Sequence, residues 1–236
     1  MKTLLFFSLL LLTIVGKGQS SNYMVLDYQH KRSRVIYGYE IDYTYSVVKG
    51  LGKKKDSLLN ALVKQHGRLE EVESGFEEIL REQQNSLDTT SHSISHYDCN
   101  IIIEIICEDL AIITVSGYEY NSGAAHGGTF DYVLNVDLNT FSILEPEDLF
   151  VDQDNAIHYF TEQINQRLSS SDNKEIHLLK EDDFYEYLNQ FELGKDQITF
   201  SLSENGVFPY LEWGKEAFQL DEIQSLMKWK NPCSKD

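Results

Sequence analysis

The sequence is poor in proline and poor in positive charge. Only 3 of its 236 residues are proline, so a proline-rich flexible linker between domains is not expected. Lys and Arg number 20 against 38 Asp and Glu, which gives a net charge of −18. A surface this negative opposes binding to nucleic acid or to an anionic membrane, and it favours solubility and fast association with cationic partners.

Cysteine is also scarce, and the three residues present cannot all pair. Cys99 and Cys107 flank an apolar run, and an extended chain would separate them by about 26 Å, far beyond the reach of a disulfide. At most one disulfide is therefore expected, joining Cys233 to one of the other two. The spacing leaves both of these pairings, and no pairing at all, open.

A single long apolar run stands at the start of the chain. Lys2 precedes the run Leu4–Val15, which is too short to span a bilayer, and Gly16 and Gly18 are the small residues before a cut at Gln19. This pattern predicts a cleavable signal peptide over residues 1–18, with an uncleaved N-terminal anchor as the alternative. No cysteine near the cut could carry a lipid, and no later run could insert in a membrane. We therefore expect a periplasmic or extracellular protein that is not a lipoprotein, with its net charge moved to −20 by the loss of two lysines.

Apolar periodicity predicts an α+β fold. Period-two alternation indicates strands at 37–48, 100–107, 111–120, 129–138, 198–202 and 207–211, with turns at 108–109 and 205–206. Helical spacing appears at 58–87, where Gly67 either splits or weakens the helix, at 146–149, from 152 or 154 to 168, at 182–191 and at 221–229. Because strands cluster rather than alternate with helices, we expect an antiparallel sheet with helices packed mainly on one face.

The same pattern predicts the domain organisation. After the signal peptide, residues 19–95 form a strand and long-helix subdomain, residues 96–230 form a C-terminal α+β domain, and 231–236 form a tail. The basic stretch His30–Arg34 is predicted to be a solvated arm near the mature N-terminus. Its alternative role is contact with an acidic partner.

The densest group of potential metal ligands comprises His92, His96, Asp98 and Cys99. A structural zinc site needs four ligands and a catalytic one at least three with supporting contacts, so we predict a polar loop running into a strand, with no metal and no cofactor. The pair of aspartates at 152 and 154 begins like a calcium loop, but Ile157 stands where that loop needs glycine. Helix capping is the expected role of this pair.

No catalytic motif of a known enzyme class is present in a suitable context. The sequence has no nucleophile elbow, no Walker loop, no H-E-x-x-H and no dinucleotide fingerprint, and the S-x-x-K match at 171–174 lies in a polar loop. Paired carboxylates suited to glycoside hydrolysis remain conceivable among so many acidic residues. We predict that the protein is not an enzyme.

The segment Tyr118–Gly128 combines alternate tyrosines, several glycines and one histidine between two predicted strands. Glycine lets a backbone turn sharply or approach another chain closely, and tyrosine is an efficient contact residue. A tight connection in which His126 bonds the loop to the sheet is one interpretation. The other is a recognition loop, whose candidate binding residues are Tyr118, Tyr120, Gly123, His126 and Gly127.

The stretch YEYNSGAAHGGTFDYVLNVDLNTFSILEPEDLF resembles a domain family of unknown function through its Y-x-Y and A-H-G motifs. That domain forms the extracellular part of RsiV-type lysozyme-sensing anti-sigma factors and precedes the catalytic domain of some peptidoglycan deacetylases. A second match, ITFSLSENGVFPYLEWGKEAFQLDEIQSLM, resembles the closing hairpin, short strand and last helix of the same family. The resemblance covers nearly all of the mature chain.

The resemblance implies a binding role, because in the deacetylases the chemistry lies in a separate domain. We therefore expect an exported, non-enzymatic binding module of the cell envelope, which recognises a cationic protein such as a lysozyme or a peptidoglycan component. An envelope glycan hydrolase that uses an acidic pair with His126, and a structural or assembly subunit, are the alternatives. The sequence fixes no oligomeric state.

Overall fold

The structure is a computed structural model that describes residues 23–33, 39–85, 94–121, 124–169, 178–202 and 214–233. A six-stranded sheet has the order β1-β2-β3-β4-β5-β6, and a three-stranded sheet has the order β7-β8-β9. The strands are β1 Met24–Ser33, β2 Tyr39–Lys49, β3 Ser95–Cys107, β4 Leu110–Tyr120, β5 Gly128–Asp137, β6 Ser142–Ile143, β7 Phe191–Leu193, β8 Gln197–Ser201 and β9 Lys215–Gln219. The helices are α1 Lys53–Gly67, α2 Leu69–Asn85, α3 Pro146–Leu149, α4 Gln153–Ser169 and α5 Glu181–Tyr187.

The predicted α+β class is confirmed, and the larger sheet is mixed rather than purely antiparallel. β1 pairs antiparallel with β2, but β2 pairs parallel with β3, with Tyr39 opposite Ser95 and Tyr45 opposite Ile101. A parallel pair needs a long crossover connection. The helices α1 and α2, which lie between β2 and β3 in the chain, supply it.

The long helix predicted after β2 is split, and the break falls at Arg68. Arg68 adopts a left-handed conformation with φ 48°, which ends α1 and starts α2. Gly67 lies against the ring of Tyr43, where any added side chain would collide with the hydroxyl. The Tyr97 hydroxyl donates a 2.8 Å hydrogen bond to the Gly67 carbonyl oxygen. These two buried tyrosines fix the place at which the helix breaks.

Contacts divide the described residues into two compact units. Unit 1 takes those of 1–103 and 113–132, and unit 2 takes those of 104–112 and 133–236. The core of unit 1 packs α1 and α2 against the sheet and includes the buried residues Tyr39, Ile41, Leu59, Phe76 and Tyr97. The sequence boundary expected at residue 95 remains a prediction.

Unit 2 has an aromatic core and the disulfide. Phe160 contacts the rings of Phe184, Phe200 and Phe218 at centroid distances of 5.9, 4.8 and 4.8 Å. Cys107 and Cys233 form a disulfide across a sequence separation of 126 residues, which is one of the two pairings left open by the sequence. Cys99 is a buried free thiol in unit 1.

Three asparagines use both the oxygen and the nitrogen of their side-chain amide to bond backbone groups of another segment. Asn135 is 1% exposed; it donates to the Phe191 carbonyl oxygen at 2.8 Å and accepts from the Leu193 N–H at 2.8 Å. Asn60 binds both backbone groups of Val48, at 2.9 and 3.0 Å. Asn165 does the same for Leu179, at 2.7 and 2.8 Å. Backbone groups that no neighbouring strand reaches are satisfied in this way.

Two predictions are wrong. Residues 30–33 belong to strand β1 rather than to a solvated arm, because they pair along β2, with Lys31 opposite Asp42. Residues 221–229 form turns rather than a last helix, because the bonds inside the segment, such as that from the Leu226 N–H to the Ile223 carbonyl oxygen, are turn bonds, and the groups at its end bond to a distant segment. The Lys228 N–H donates to the Leu149 carbonyl oxygen, and the Leu226 carbonyl oxygen accepts from the Val151 N–H.

Other boundaries shift slightly. α5 ends at Tyr187 because Phe191 is already paired in β7. The signal peptide and the second strand of the hairpin expected at 207–211 lie outside the described residues. None of the helices in the described ranges is both long and apolar enough to cross a membrane.

Candidate functional site

The predicted recognition residues come together where β4 ends and β5 begins. Tyr118 and Tyr120 lie at the C-terminal end of strand β4, and His126 and Gly127 directly precede β5. Gly123, the fifth predicted residue, lies outside the described residues. The structure thus places four of the five on one connection of unit 1.

The ring of Tyr118 packs on the backbone of Gly127. A Cβ added at position 127 would collide with that ring, so the contact in its present form depends on glycine, and a larger residue would push the exposed ring aside. His126 is exposed, and its Nδ1 lies 3.2 Å from the carbonyl oxygen of Gly127. Tyr118 remains 36% exposed. The loop therefore presents the tyrosine ring to solvent instead of burying it.

Two residues from neighbouring strands join this patch. Residue 40 of β2 is opposite residue 96 of β3, so Glu40 and His96 share one face of the sheet. The His96 ring lies 6.0 Å from the ring of Tyr118, and its Nδ1 lies 3.7 Å from Glu40 Oε2. The imidazole thus stands between a carboxylate and an aromatic ring.

The outward side of the sheet in unit 1 is acidic. We call it the open face and define it by Glu40, His96, Asp98, Tyr118 and Asp131. Alternation along the strands puts these side chains opposite the buried face, and each is exposed or partly exposed. The open face therefore carries three carboxylates, one histidine and one tyrosine on a surface that no described element covers.

The described members of the potential metal-ligand group lie on both faces of β3. Asp98 points to solvent while Cys99, the next residue, is buried on the helix side of the same strand. His92 lies outside the described residues, and among those described no three His, Cys, Asp or Glu side chains are placed to hold a metal ion. Asp152, the other candidate ligand, caps α4 by accepting from the N–H groups of Asp154 and Asn155.

The buried face holds several titratable groups that burial keeps uncharged. Burial raises the pKa of the Cys99 thiol and the pKa of the Tyr97 phenol above their usual ranges. Burial also lowers the pKa of His66, whose Nδ1 lies 3.2 Å from the Tyr132 hydroxyl and whose Nε2 is buried without a partner. A buried thiol with a raised pKa is a poor nucleophile.

A cleft of about 460 Å³ opens on the helix side of unit 1, between β2 and the break between α1 and α2. Its wall includes Tyr45, Val47 and Leu69, and the charged side chains of the helix break form its rim. His126 is not part of it. The hydrolase alternative needed a cleft that contained an acidic pair with this histidine, and this cleft does not supply one.

Two of the crystal structures that match the chain cover most of its length. One is a DUF3298 family member from Bacteroides fragilis, with 16% identity, a TM-score of 0.61 and coverage of 91% of this chain and 97% of that one. The chain has the fold of DUF3298 family proteins. A second, from Pseudomonas aeruginosa PAO1, has 13% identity, a TM-score of 0.51 and coverage of 91% and 96%. No protein-family model and no curated protein matches the sequence.

The structural likeness supports the coarser part of the sequence resemblance, a domain family of unknown function. At identities this low the likeness concerns the fold alone. The association with lysozyme-sensing anti-sigma factors and with deacetylases stays a prediction.

Sequence reasoning missed part of the open face. Glu40 and Asp131 stand in strands that were predicted, whereas Asp98 lies two residues before the predicted strand 100–107 and falls within β3, and nothing in the chain order places β2 beside β3. The alternation of buried and exposed residues along β3 was the available signal, since it separates Asp98 from its buried neighbours. Strand adjacency had to come from the structure.

Proposed function

We propose that the protein is an exported, non-enzymatic binding module, and that the open face recognises a cationic protein, of which lysozyme is the first candidate. One observation carries the proposal. Three exposed carboxylates, Glu40, Asp98 and Asp131, share the open face with the pair formed by His96 and Tyr118, and no described element covers them.

The chemistry of this surface suits a basic partner. Neighbouring strands lie about 4.8 Å apart, so carboxylates on β2, β3 and β5 are spaced to meet several lysine or arginine side chains. Tyr118 adds a broad apolar contact with little conformational entropy to lose, as tyrosines at interfaces do. The net charge of −18 steers cationic proteins towards the chain and raises their association rate.

The absence of catalytic machinery in the described part of the open face supports binding rather than turnover. His126 is placed against its own loop at Gly127, and no described serine or cysteine stands next to it. The one free thiol, Cys99, is buried on the opposite side of the strand. A peptidoglycan component is the rival ligand, and the binding experiment separates the two.

The test measures binding of purified lysozyme to the protein at low and physiological salt, beside retention by cell-wall sacculi. The first variant carries Glu40→Gln, Asp98→Asn and Asp131→Asn. We expect it to weaken lysozyme binding about tenfold, because three exposed charge contacts are lost together. Higher salt should weaken wild-type binding as well.

A second variant makes the same charge change in unit 2, at Glu147→Gln, Asp221→Asn and Glu222→Gln, which are all exposed. It should bind within about twofold of wild type, since only the long-range attraction changes. Equal losses in both variants would show that net charge and not the open face matters. Retention by sacculi without lysozyme binding would replace the protein partner with the polymer.

A further inference from the structure

The cleft on the helix side of unit 1 has an apolar floor. Val63 is buried at its base, and Tyr45, Val47 and Leu69 are partly exposed along its wall. Its volume of about 460 Å³ falls in the range of sites that bind small molecules or single large side chains. An apolar hollow of this size gains free energy when an apolar group displaces its water.

Stacked tyrosines make one side of the cleft rigid. The ring of Tyr45 stacks on Tyr43 at a centroid distance of 5.0 Å and on Tyr28 of the neighbouring strand at 5.5 Å. Tyr43 is itself held against Gly67 at the end of α1. A wall that is fixed before binding loses little entropy when a ligand arrives.

The helix break forms the rim, and there the charges are balanced. Lys64 pairs with Glu70 at 2.8 Å, and Arg68 pairs with Glu71 at 2.8 Å. All four side chains are at least half exposed, so each pair contributes little and can exchange for a ligand charge. The rim on its own therefore favours neither a positively nor a negatively charged ligand.

Beyond the rim, the surface becomes acidic along α2. A second groove is lined by Glu70, Glu73, Glu77, Glu78 and Arg81, and it shares Glu70 with the cleft. The whole helix carries six glutamates against one arginine. An apolar hollow thus continues directly into a groove of negative potential.

We propose that this combined groove binds an extended, basic peptide segment of a partner, with one large apolar side chain in the cleft and lysines or arginines along α2. Glu70 and Glu78, which are both exposed, are separated by about 12 Å along the helix axis, a distance that an extended peptide covers in about four residues. A basic segment therefore places successive cationic side chains near successive carboxylates. This site lies on the opposite side of the sheet from the open face and does not depend on it.

The probe is a fluorescently labelled synthetic peptide with one tryptophan followed by three lysines at alternate positions, measured by fluorescence anisotropy on the full chain. Two matched peptides replace the tryptophan by alanine or the lysines by glutamates. We expect the first peptide to bind and each matched peptide to bind at least about tenfold more weakly. Equal binding of the alanine peptide would overturn the role of the cleft.

Two variants locate the site. Leu69→Trp fills the cleft and should abolish binding, and Leu178→Trp adds the same ring at an exposed position of unit 2 as its control. Glu70→Gln with Glu78→Gln should weaken binding about tenfold without touching the floor. Wild-type affinity in both Leu69→Trp and the double glutamine variant would refute the proposal.

The peptide assay is independent of the lysozyme assay. The variant that neutralises Glu40, Asp98 and Asp131 should bind the peptide like wild type, because its changes lie on the other side of the sheet. If this variant loses the peptide while the cleft variants keep it, the basic segment docks on the open face. Circular dichroism of each variant establishes that it is folded.

Discussion

The buried amide of Asn135 offers the sharpest test of how unit 2 is held together. Asn135 joins β5 to β7 through two hydrogen bonds, one to the Phe191 carbonyl oxygen and one from the Leu193 N–H. Its own backbone carbonyl oxygen also accepts from the Leu144 N–H at 2.8 Å. Replacing Asn135 by alanine keeps this last bond and removes the other two.

The expected loss follows from the two groups that would be left without partners. A buried backbone donor or acceptor with no partner costs about 1–3 kcal/mol, so two give about 2–6 kcal/mol. The alanine variant no longer buries a polar side-chain amide, and this offsets part of the loss. We therefore expect the free energy of unfolding to fall by about 2–4 kcal/mol. That is a large share of the free energy of unfolding of a typical domain.

Urea unfolding followed by tryptophan fluorescence measures the change in the free energy of unfolding, and hydrogen exchange at the Leu193 amide reports the local effect. Asn139→Ala is the matched control, because Asn139 is exposed in the turn after β5, and it should change stability by less than about 0.5 kcal/mol. If Asn135→Ala lowers the free energy of unfolding no more than Asn139→Ala does, and its Leu193 amide is still protected from exchange, the reasoning is refuted.

Four further predictions follow from other features. Gly117→Ala should lower the free energy of unfolding of unit 1, measured in urea, by about 1–3 kcal/mol, because the new methyl group meets the Asp98 backbone. Gly127→Ala only displaces the exposed ring of Tyr118 and should change it by less than about 0.5 kcal/mol, so equal effects would contradict this account. Burial lowers the pKa of His66, so its contribution to stability is complete above the unfolded pKa of about 6.5 and is lost as the pH falls through the folded pKa. His66→Gln should therefore flatten the acid side of the pH–stability curve, and an unchanged slope would count against this account. Thiol labelling should modify no cysteine in the native protein and one in urea, Cys99; labelling before unfolding would show that this thiol is accessible. If the signal peptide is cleaved as predicted, mass spectrometry of the protein purified from its native cells should find Gln19 at its N-terminus, and a retained leader would indicate the anchor instead.

Local patterns predicted the elements that are held by local interactions. The hairpin between β3 and β4 follows from two apolar runs separated by Glu108 and Asp109, and the structure places the turn there. The start of α4 follows from an aspartate that caps the helix, a bond within three residues. The connection that carries Tyr118 and His126 was singled out for its glycines, and in the structure the ring of Tyr118 packs on the backbone of Gly127.

Features that depend on distant segments could not be predicted. The segment 221–229 has helical spacing, yet its backbone bonds to residues around Leu149, which are more than seventy positions away. Residues 30–33 are basic and their sequence is typical of a solvated arm, but their backbone pairs along β2. The neighbours of Tyr118 on the open face, His96 and Glu40, come from strands whose adjacency depends on the crossover. In each case the deciding partner lies far along the chain.

The parallel pairing of β2 with β3 also has a consequence for the order of folding. The β1–β2 pair and the β3–β4 hairpin close short loops and can form within microseconds, whereas β2 and β3 meet only after α1 and α2 have been laid down between them. Until then the Tyr39–Tyr45 edge of β2 is an unpaired strand rich in tyrosine, which is a template for pairing with another chain. Slow crossover formation would therefore expose the nascent protein to aggregation, and a chaperone that covers this edge would raise the yield of folded protein.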